Sequence, residues 1–166
     1  MRKKWMVAAT VLPALVFVTL FLLGRETFHA EITIEATPEE VWSVLTDAPG
    51  YAAWNPLLVP VSGDFSEGAE IEYQMAQPNG KQSTMKTRVT KVVALKELSQ
   101  HAGIPGVLTA DHTYRLEPTQ GGTRVIQHEV DNGAAMLFWD SSWVQPTHER
   151  VNLALKHRVE QLKDSR

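Results

Sequence analysis

Four polar side chains in two neighbouring strands of a predicted hairpin are the best candidates for chemistry in this 166-residue chain. His112 and Tyr114 lie two positions apart in the first strand, and Gln127 and Glu129 lie two positions apart in the second. Side chains two positions apart on a strand share a face. A histidine and a carboxylate in one cavity can act as general acid and base, so His112 and Glu129 are the candidate catalytic pair. We favour two non-catalytic interpretations of the four side chains over this one. They form a buried polar network, or they hydrogen-bond to the polar end of a ligand.

The register of this hairpin follows from its buried face. Leu116 and Val125 are the apolar positions that should face each other there, and a slip of one residue would bury Arg124 instead. The chosen alignment also sets the two polar pairs opposite each other: His112 faces Glu129, and Tyr114 faces Gln127.

Other chemistry is poorly represented in the sequence. The chain has no cysteine, which excludes disulfides, thiol nucleophiles and thiolate metal sites. Its six histidines form no H-x-H, H-x-x-x-H or H-E-x-x-H spacing, so the sequence predicts no metal site, and any such site would have to be assembled by the fold. No phosphate-binding glycine loop or G-x-S-x-G motif is present, and we expect no cofactor. The net charge of −3 gives no basic field for nucleic acid.

An uncharged apolar run, residues 5–23, precedes the rest of the chain. Nineteen helical residues span roughly 28 Å, about the thickness of the hydrocarbon core of a bilayer. The positive-inside rule applies because Arg2, Lys3 and Lys4 come before the run and only Arg25 comes soon after it. We therefore predict a transmembrane anchor over residues 1–24, a cytoplasmic N-terminus, and a domain over residues 25–166 on the extracytoplasmic side.

A cleaved signal peptide is the competing interpretation of this segment. Its apolar region would exceed the roughly 7–15 residues of such peptides. Small residues in the A-x-A arrangement are also poorly placed, since Phe28 and Leu22 occupy the first positions of the two candidate sites. An uncleaved anchor is therefore the favoured prediction.

The remaining pattern predicts an α+β domain with an antiparallel sheet of about six or seven strands. A first strand over residues 27–35 leads into a helix at Pro38, with Thr37 and Glu40 placed to form a capping box. A second short helical turn then carries Tyr51 and Trp54. The other predicted elements are strands at 69–77, 83–93, 95–101, 111–117 and 123–131, a loop at 101–106, an ambiguous segment at 132–142, and a long helix from about 146 to 162.

The last helix can cover one face of the sheet, because its buried stripe repeats at helical spacing. That stripe contains His148, Val151 or Asn152, Leu155, Val159 and Leu162.

The order of several short motifs resembles the START-like superfamily, also called SRPBCC, which includes polyketide cyclase/dehydrase and lipid-transport-like proteins. The opening match comprises Ala36, Pro38, Val41, Trp42, Leu45, Asp47, Tyr51, Trp54, Asn55 and Pro56. Later matches are the stretches at 101–106, 112–118, 121–124 and 152–156. The resemblance covers roughly residues 28–162 and leaves out the predicted anchor.

The resemblance implies a helix-grip fold, in which the sheet wraps around the last helix and the space between them holds an apolar ligand. The residues expected to line that cavity are Tyr51, Trp54, Tyr73, Met75, Met85, His112, Tyr114, Gln127, Glu129, Phe138, Trp139, His148 and Asn152. For the apolar members, ordinary core packing is the alternative.

Three functions follow in order of preference. The first is binding of a lipid or another small hydrophobic molecule by a domain held at the membrane through residues 5–23. The second is a cyclase- or dehydrase-like enzyme that uses polar cavity residues. The third is a protein-interaction module, which would need an exposed apolar patch away from the cavity. Fold alone does not decide among them.

Overall fold

The computed structural model describes residues 24–77 and 80–165. Its elements, in chain order, are β1 (Arg25–Ile34), α1 (Pro38–Leu45), a 3₁₀ helix (Ala48–Ala53), β2 (Leu58–Ser62), β3 (Glu70–Ala76), β4 (Gln82–Val93), β5 (Glu97–Ile104), β6 (Leu108–Thr119), β7 (Gly122–Asn132), a second 3₁₀ helix (Ala134–Leu137) and α2 (Val144–Asp164).

The seven strands form one antiparallel sheet in the order β1-β7-β6-β5-β4-β3-β2. Consecutive hairpins build β2 to β7, and β1 then pairs with β7. The predicted α+β class and the helix-grip arrangement are therefore confirmed. Within residues 24–77 and 80–165, no helix has the length and apolar character needed to cross a membrane. The anchor predicted at residues 5–23 lies outside the described residues.

The first helix begins where the sequence predicts. The Glu40 backbone N–H donates to Thr37 Oγ1 at 3.4 Å, and the Thr37 backbone N–H donates to Glu40 Oε2 at 3.0 Å. This capping box satisfies two of the N–H groups that a helix start leaves without intrahelical acceptors. The capped turn fixes the path from β1 into α1, which buries Val41, Val44 and Leu45.

The predicted register of the β6–β7 hairpin is confirmed. Leu116 lies opposite Val125, and both side chains are buried. The same ladder sets His112 opposite Glu129 and Tyr114 opposite Gln127.

Strand β5 corrects one expectation, because residues 101–104 belong to the strand rather than to a loop. Gly103 lies opposite Thr109 with φ +100, and a Cβ at this position would lie 2.1 Å from the Leu108 carbonyl oxygen. Only glycine allows that approach. The glycine that suggested a loop instead lets the ladder with β6 continue to its end.

Strand β2 was missed because Pro60 interrupts its pattern. Proline cannot donate a ladder hydrogen bond and is confined to sheet edges. Strand β2 is an edge strand that pairs only with β3. The last helix is also longer than predicted, at Val144–Asp164. Pro146 lies within its first turn, where N–H groups have no intrahelical acceptor.

Helix α2 packs along β1 and α1 and places its buried stripe against the sheet. Leu155, Val151 and Val159 are buried in the main core. Two lysines connect the exposed side of the helix to β1 and to the residue that follows it: Lys156 Nζ donates to the Thr33 carbonyl at 3.2 Å, and Lys163 Nζ donates to the Glu35 carbonyl at 2.7 Å. The C-terminal half of the helix thus packs against the core, whereas its first turns face a cavity.

Candidate ligand cavity

A cavity of about 240 Å³ lies between the sheet and the first half of α2. Strands β3 to β7 supply its walls on the sheet side, and α2 supplies Val144, Thr147, His148 and Val151 on the other. Most of its surface is apolar, with contributions from Leu57, Leu58, Met75, Met85, Leu108, Trp139 and Trp143. Methionine side chains adapt to ligands of different shape.

Ten of the thirteen residues expected at the cavity lie on its wall. They are Tyr51, Tyr73, Met75, Met85, His112, Tyr114, Gln127, Glu129, Trp139 and His148. They come from the first 3₁₀ helix, four strands, α2 and the segment before α2, so only the tertiary fold brings them together.

The other three expected residues lie elsewhere. Phe138 is 85% exposed, because it follows the second 3₁₀ helix on the outside of the fold. Trp54 is buried against Tyr51, with 4.8 Å between ring centroids, and does not reach the cavity. Asn152 is buried behind the wall, where it contacts Gln127.

Gln127 organises the polar part of the wall. Its Nε2 donates to the His148 carbonyl at 3.1 Å and to Asn152 Oδ1 at 2.7 Å. A backbone carbonyl can only accept a hydrogen bond, so the amide nitrogen must face it. Gln127 Oε1 is thereby turned toward His112 Nε2, at 3.0 Å. Because an amide oxygen can only accept, His112 carries its proton on Nε2, and its Nδ1 keeps a lone pair when the ring is neutral.

The surroundings of His112 favour this neutral ring. Burial lowers its pKa to about 4, and the nearby charge of Glu129 only partly offsets that effect. At neutral pH His112 is therefore a neutral imidazole with a fixed tautomer.

Glu129 pairs with a histidine other than the one expected. His148 Nε2 lies 3.6 Å from Glu129 Oε2, whereas His112 bonds to Gln127. Burial by itself would raise the pKa of Glu129, but the interactions with His148 and His112 outweigh it and hold the pKa below its usual value. The two proposed catalytic residues are thus neighbours in the sheet, but the hydrogen bond of His112 goes to Gln127 and Glu129 lies closest to His148.

The fold assembles three potential metal ligands that sequence spacing did not reveal. Ligand-capable atoms of His112, Glu129 and His148 all lie within 4.8 Å of one another. The three residues are on β6, β7 and α2, and for this reason no short histidine motif in the sequence contains them.

A second polar group on the wall was missed. Tyr73 Oη and Thr87 Oγ1 each donate to Gln100 Oε1 at 2.8 Å. Burial raises the pKa of Tyr73, so its hydroxyl remains protonated and able to donate. Gln100 lies directly opposite His112 in the sheet. Extending the predicted register by one strand, from β6 to β5, would have found it.

Asp131 is a further wall residue that sequence reasoning did not single out. It is only 2% exposed, and its Oδ1 has no hydrogen-bond partner among the described residues. Burial, with the nearby carboxylates of Glu129, Glu26 and Asp111, raises its pKa to about 7. The sequence could have identified Asp131, because it lies two residues after Glu129 and therefore on the same face of the strand.

The charges on the wall are of one sign. Glu129 and Asp131 both line the cavity, and no lysine or arginine lies among its lining residues in the part of the chain that the structure describes. The arrangement favours neutral or cationic groups inside and disfavours an anion.

Comparisons with known proteins agree on the type of domain. The sequence model of the polyketide cyclase/dehydrase and lipid transport family matches residues 25–160. A comparison with curated protein sequences finds no match.

Solved structures with the same fold cover most of the described chain. A Staphylococcus aureus protein of unknown function is 15% identical with a TM-score of 0.68, over 84% of this chain and 96% of its own. A Nitrosomonas europaea protein is 20% identical with a TM-score of 0.65, over 83% and 96%. A Mycobacterium smegmatis protein is 17% identical with a TM-score of 0.68, over 82% and 92%. At these identities the likeness concerns the fold alone.

Proposed function

Because the chain belongs to the polyketide cyclase/dehydrase and lipid transport family, we propose that it binds one small hydrophobic molecule in the cavity between the sheet and α2. The observation that carries this proposal is the cavity itself, whose exposed wall is largely apolar and includes a limited set of polar groups. Ligand sites in proteins have this composition, since the apolar surface supplies affinity and the few polar groups set orientation.

The volume limits the size of the ligand. About 240 Å³ gives room for roughly twenty water-sized groups, at about 10–15 Å³ for each. A diacyl lipid is larger than this. The ligand is therefore a compact molecule, or the end of a longer chain that leaves through the opening of the cavity.

The polar groups limit its chemistry. The wall carries two carboxyl groups and no lysine or arginine among the described lining residues, so the polar end of the ligand is neutral or cationic. Gln100 Oε1 already accepts two hydrogen bonds. Its amide nitrogen, which neither bond uses, can donate to a carbonyl or hydroxyl oxygen of the ligand.

Filling the cavity tests this function. Ala110 lines the cavity on β6, and Ala110→Phe adds a ring there. Full-length protein would be purified and its small molecules extracted with organic solvent and identified by mass spectrometry. We expect one compact apolar compound at near-stoichiometric amount in the wild type and at least a tenfold loss in Ala110→Phe.

Thr90→Phe is the matched control, since Thr90 is exposed on β4 and absent from the cavity wall. It should retain the wild-type amount. Equal retention by both variants, or no bound compound in the wild type, would argue against the function.

The membrane part of the proposal concerns residues 5–23. We propose that this apolar run anchors the chain, with the N-terminus in the cytoplasm and the domain on the extracytoplasmic side. One feature of the domain supports such a position. Ile104, Val107, Leu137 and Phe138 are large apolar residues that are 40–85% exposed, and they are called here the apolar rim.

The apolar rim adjoins the start of the domain. The Gly133 N–H donates to the Gly24 carbonyl at 2.8 Å, and the Ala135 N–H donates to the Val107 carbonyl at 3.0 Å. Leu108 and Trp139, the sequence neighbours of Val107 and Phe138, line the cavity. A bilayer that held residues 5–23 would thus meet the apolar rim beside one end of the cavity, which favours a membrane over a protein partner for this patch.

An enzyme is the second candidate function, and the arrangement of His112 and Glu129 favours it. A neutral imidazole and an ionised carboxylate close together can accept a proton from a bound ligand and then return it at another position. If the extracted compound is turned over, His112→Gln combined with Glu129→Gln should abolish the reaction. Unchanged turnover in the double variant would remove these residues from the mechanism.

A further inference from the structure

We propose that His112, Glu129 and His148 form a binding site for one divalent first-row transition-metal ion, such as Zn²⁺ or Fe²⁺, at the polar wall of the cavity. The inference goes beyond ligand binding, because it assigns a cation to residues that a purely apolar ligand does not require.

The ligand set and its spacing suit such an ion. Two imidazoles and one carboxylate hold Zn²⁺ in some catalytic sites and Fe²⁺ in others. His148 Nε2 lies 3.6 Å from Glu129 Oε2, too far for a normal hydrogen bond. Two ligands at roughly 2.0–2.1 Å from one ion are about 3.4 Å apart at a tetrahedral angle. One ligand-capable atom of each residue lies within 4.8 Å of the other two, so the widest pair has to close by at most about 1.4 Å.

A supporting shell is already built around His112. Metal-binding histidines usually donate their second ring N–H to a fixed acceptor, which orients the ring. His112 Nε2 makes that bond to Gln127 Oε1, and Gln127 is held in turn by the His148 carbonyl and Asn152. Because Nε2 carries the proton, Nδ1 is the nitrogen left with a lone pair.

His148 supplies a second, independent observation, a buried ring nitrogen without a hydrogen-bond partner among the described residues. The side chain is buried, and its Nδ1 has no hydrogen-bond partner among the described residues. A buried polar atom without a partner is costly. If one ring nitrogen of His148 binds an ion, only the other ring nitrogen still needs a hydrogen-bond partner.

The charge of the wall favours a cation. Glu129 is itself one of the three ligands, and Asp131 lies two residues further along the same strand face. No lysine or arginine of the described chain lines the cavity to oppose a positive ion. Three protein ligands also leave at least one coordination position open. Because all three residues line the cavity, the oxygen of a small ligand would be able to fill such a position.

Cobalt titration tests the site, since Co²⁺ substitutes for Zn²⁺ and absorbs visible light. Full-length protein in detergent micelles would be freed of metal with a chelator and then titrated with Co²⁺. We expect saturation at one ion per chain, with displacement by Zn²⁺. Glu129→Gln and His112→Gln should each weaken binding by about 100-fold or more, beyond the loss typical of a supporting residue. Two variants are used so that the test survives if one of them fails to fold. Circular dichroism shows whether each variant keeps the wild-type secondary structure.

His128→Gln is the matched control. His128 neighbours Glu129 in the chain but is exposed on the opposite face of β7, with its ring 6.4 Å from that of His29. It should bind Co²⁺ as the wild type does. Loss of binding in His128→Gln together with retention in Glu129→Gln would place the ion on the outer face and overturn the proposal.

Absence of saturable Co²⁺ binding by the folded wild type would overturn it as well. This outcome is separate from failure of the proposed function, because the amount of extracted apolar compound is a readout that does not use Co²⁺ binding.

Discussion

At the scale of single residues, one buried amide determines much of the polar chemistry. Gln127 has one orientation that satisfies the His148 carbonyl, and this orientation fixes the tautomer of His112. Burial then keeps the His112 ring neutral by lowering its pKa. Asp131, on the same strand face as Glu129, is also neutral over much of the acidic range, because its pKa is raised to about 7. The wall therefore combines groups whose protonation differs from that in water.

The raised pKa of Asp131 predicts a pH-dependent stability. The folded state holds this proton up to about pH 7, whereas the unfolded chain releases it near pH 4. Between those values the folded state binds more protons, so stability falls as pH rises. Asp131→Asn removes that contribution, and we expect it to gain roughly 2 kcal/mol relative to the wild type between pH 4.5 and pH 8.

Urea unfolding of metal-free protein at both pH values measures this gain. Comparing the two proteins at each pH cancels the opposite contribution of His112, whose lowered pKa makes the fold less stable toward acid. An identical difference at both pH values would contradict the prediction.

At the scale of elements, α2 has two tasks along its length. Its first turns give His148 and Val151 to the cavity wall, while Leu155 and Val159 fill the core. The hydrogen bonds from Lys156 to Thr33 and from Lys163 to Glu35 keep the helix in this position. The site therefore depends on packing that lies further along the same helix.

Substitution of two leucines of α2 compares a buried position with an exposed position on the same helix. Leu155 is fully buried, and Leu153 is 47% exposed. We expect Leu155→Ala to lower the free energy of unfolding by about 2–5 kcal/mol, because it leaves a cavity in the core. Leu153→Ala should change it by less than about 1 kcal/mol. Urea unfolding of both full-length variants checks this, and equal losses would show that the buried stripe is wrongly assigned.

At the scale of the whole molecule, the apolar rim, the start of β1 and one end of the cavity lie together. Gly24 contacts Gly133, and Val107 contacts Ala135. Strand β6 runs from this end to the turn at Gln120, roughly 40 Å away at about 3.4 Å per residue. If residues 5–23 anchor the chain, the domain has a membrane-facing end and a distal end.

The absence of cysteine makes this orientation directly testable. An environment-sensitive fluorophore on Val107→Cys should shift to the blue when the full-length protein is placed in lipid nanodiscs, because the apolar rim enters the lipid interface. The same fluorophore on Gln120→Cys is the control and should not shift. Equal spectra at the two positions would contradict the proposed orientation.

The local sequence was sufficient for much of the fold. The capping box at Thr37 and the β6–β7 register depend on neighbouring residues and on alternation, so they could be predicted. Strand β2 and the end of β5 could not, because Pro60 and Gly103 look like breakers until the neighbouring strand is known. The same alternation explains why His112, Tyr114, Gln127 and Glu129 could be expected on the cavity wall.

Sequence by itself determined which faces of β6, β7 and α2 are buried, and with them the inward direction of His112, Gln127, Glu129 and His148. Only the tertiary structure decided how these side chains pair. His148 lies on a helix that begins at Val144, well beyond the end of β7 at Asn132, and no short-range pattern encodes its approach to Glu129. Exposure of Phe138 was likewise decided by the second 3₁₀ helix. The physical reason is that periodicity reports the face of an element, whereas contacts between elements depend on packing.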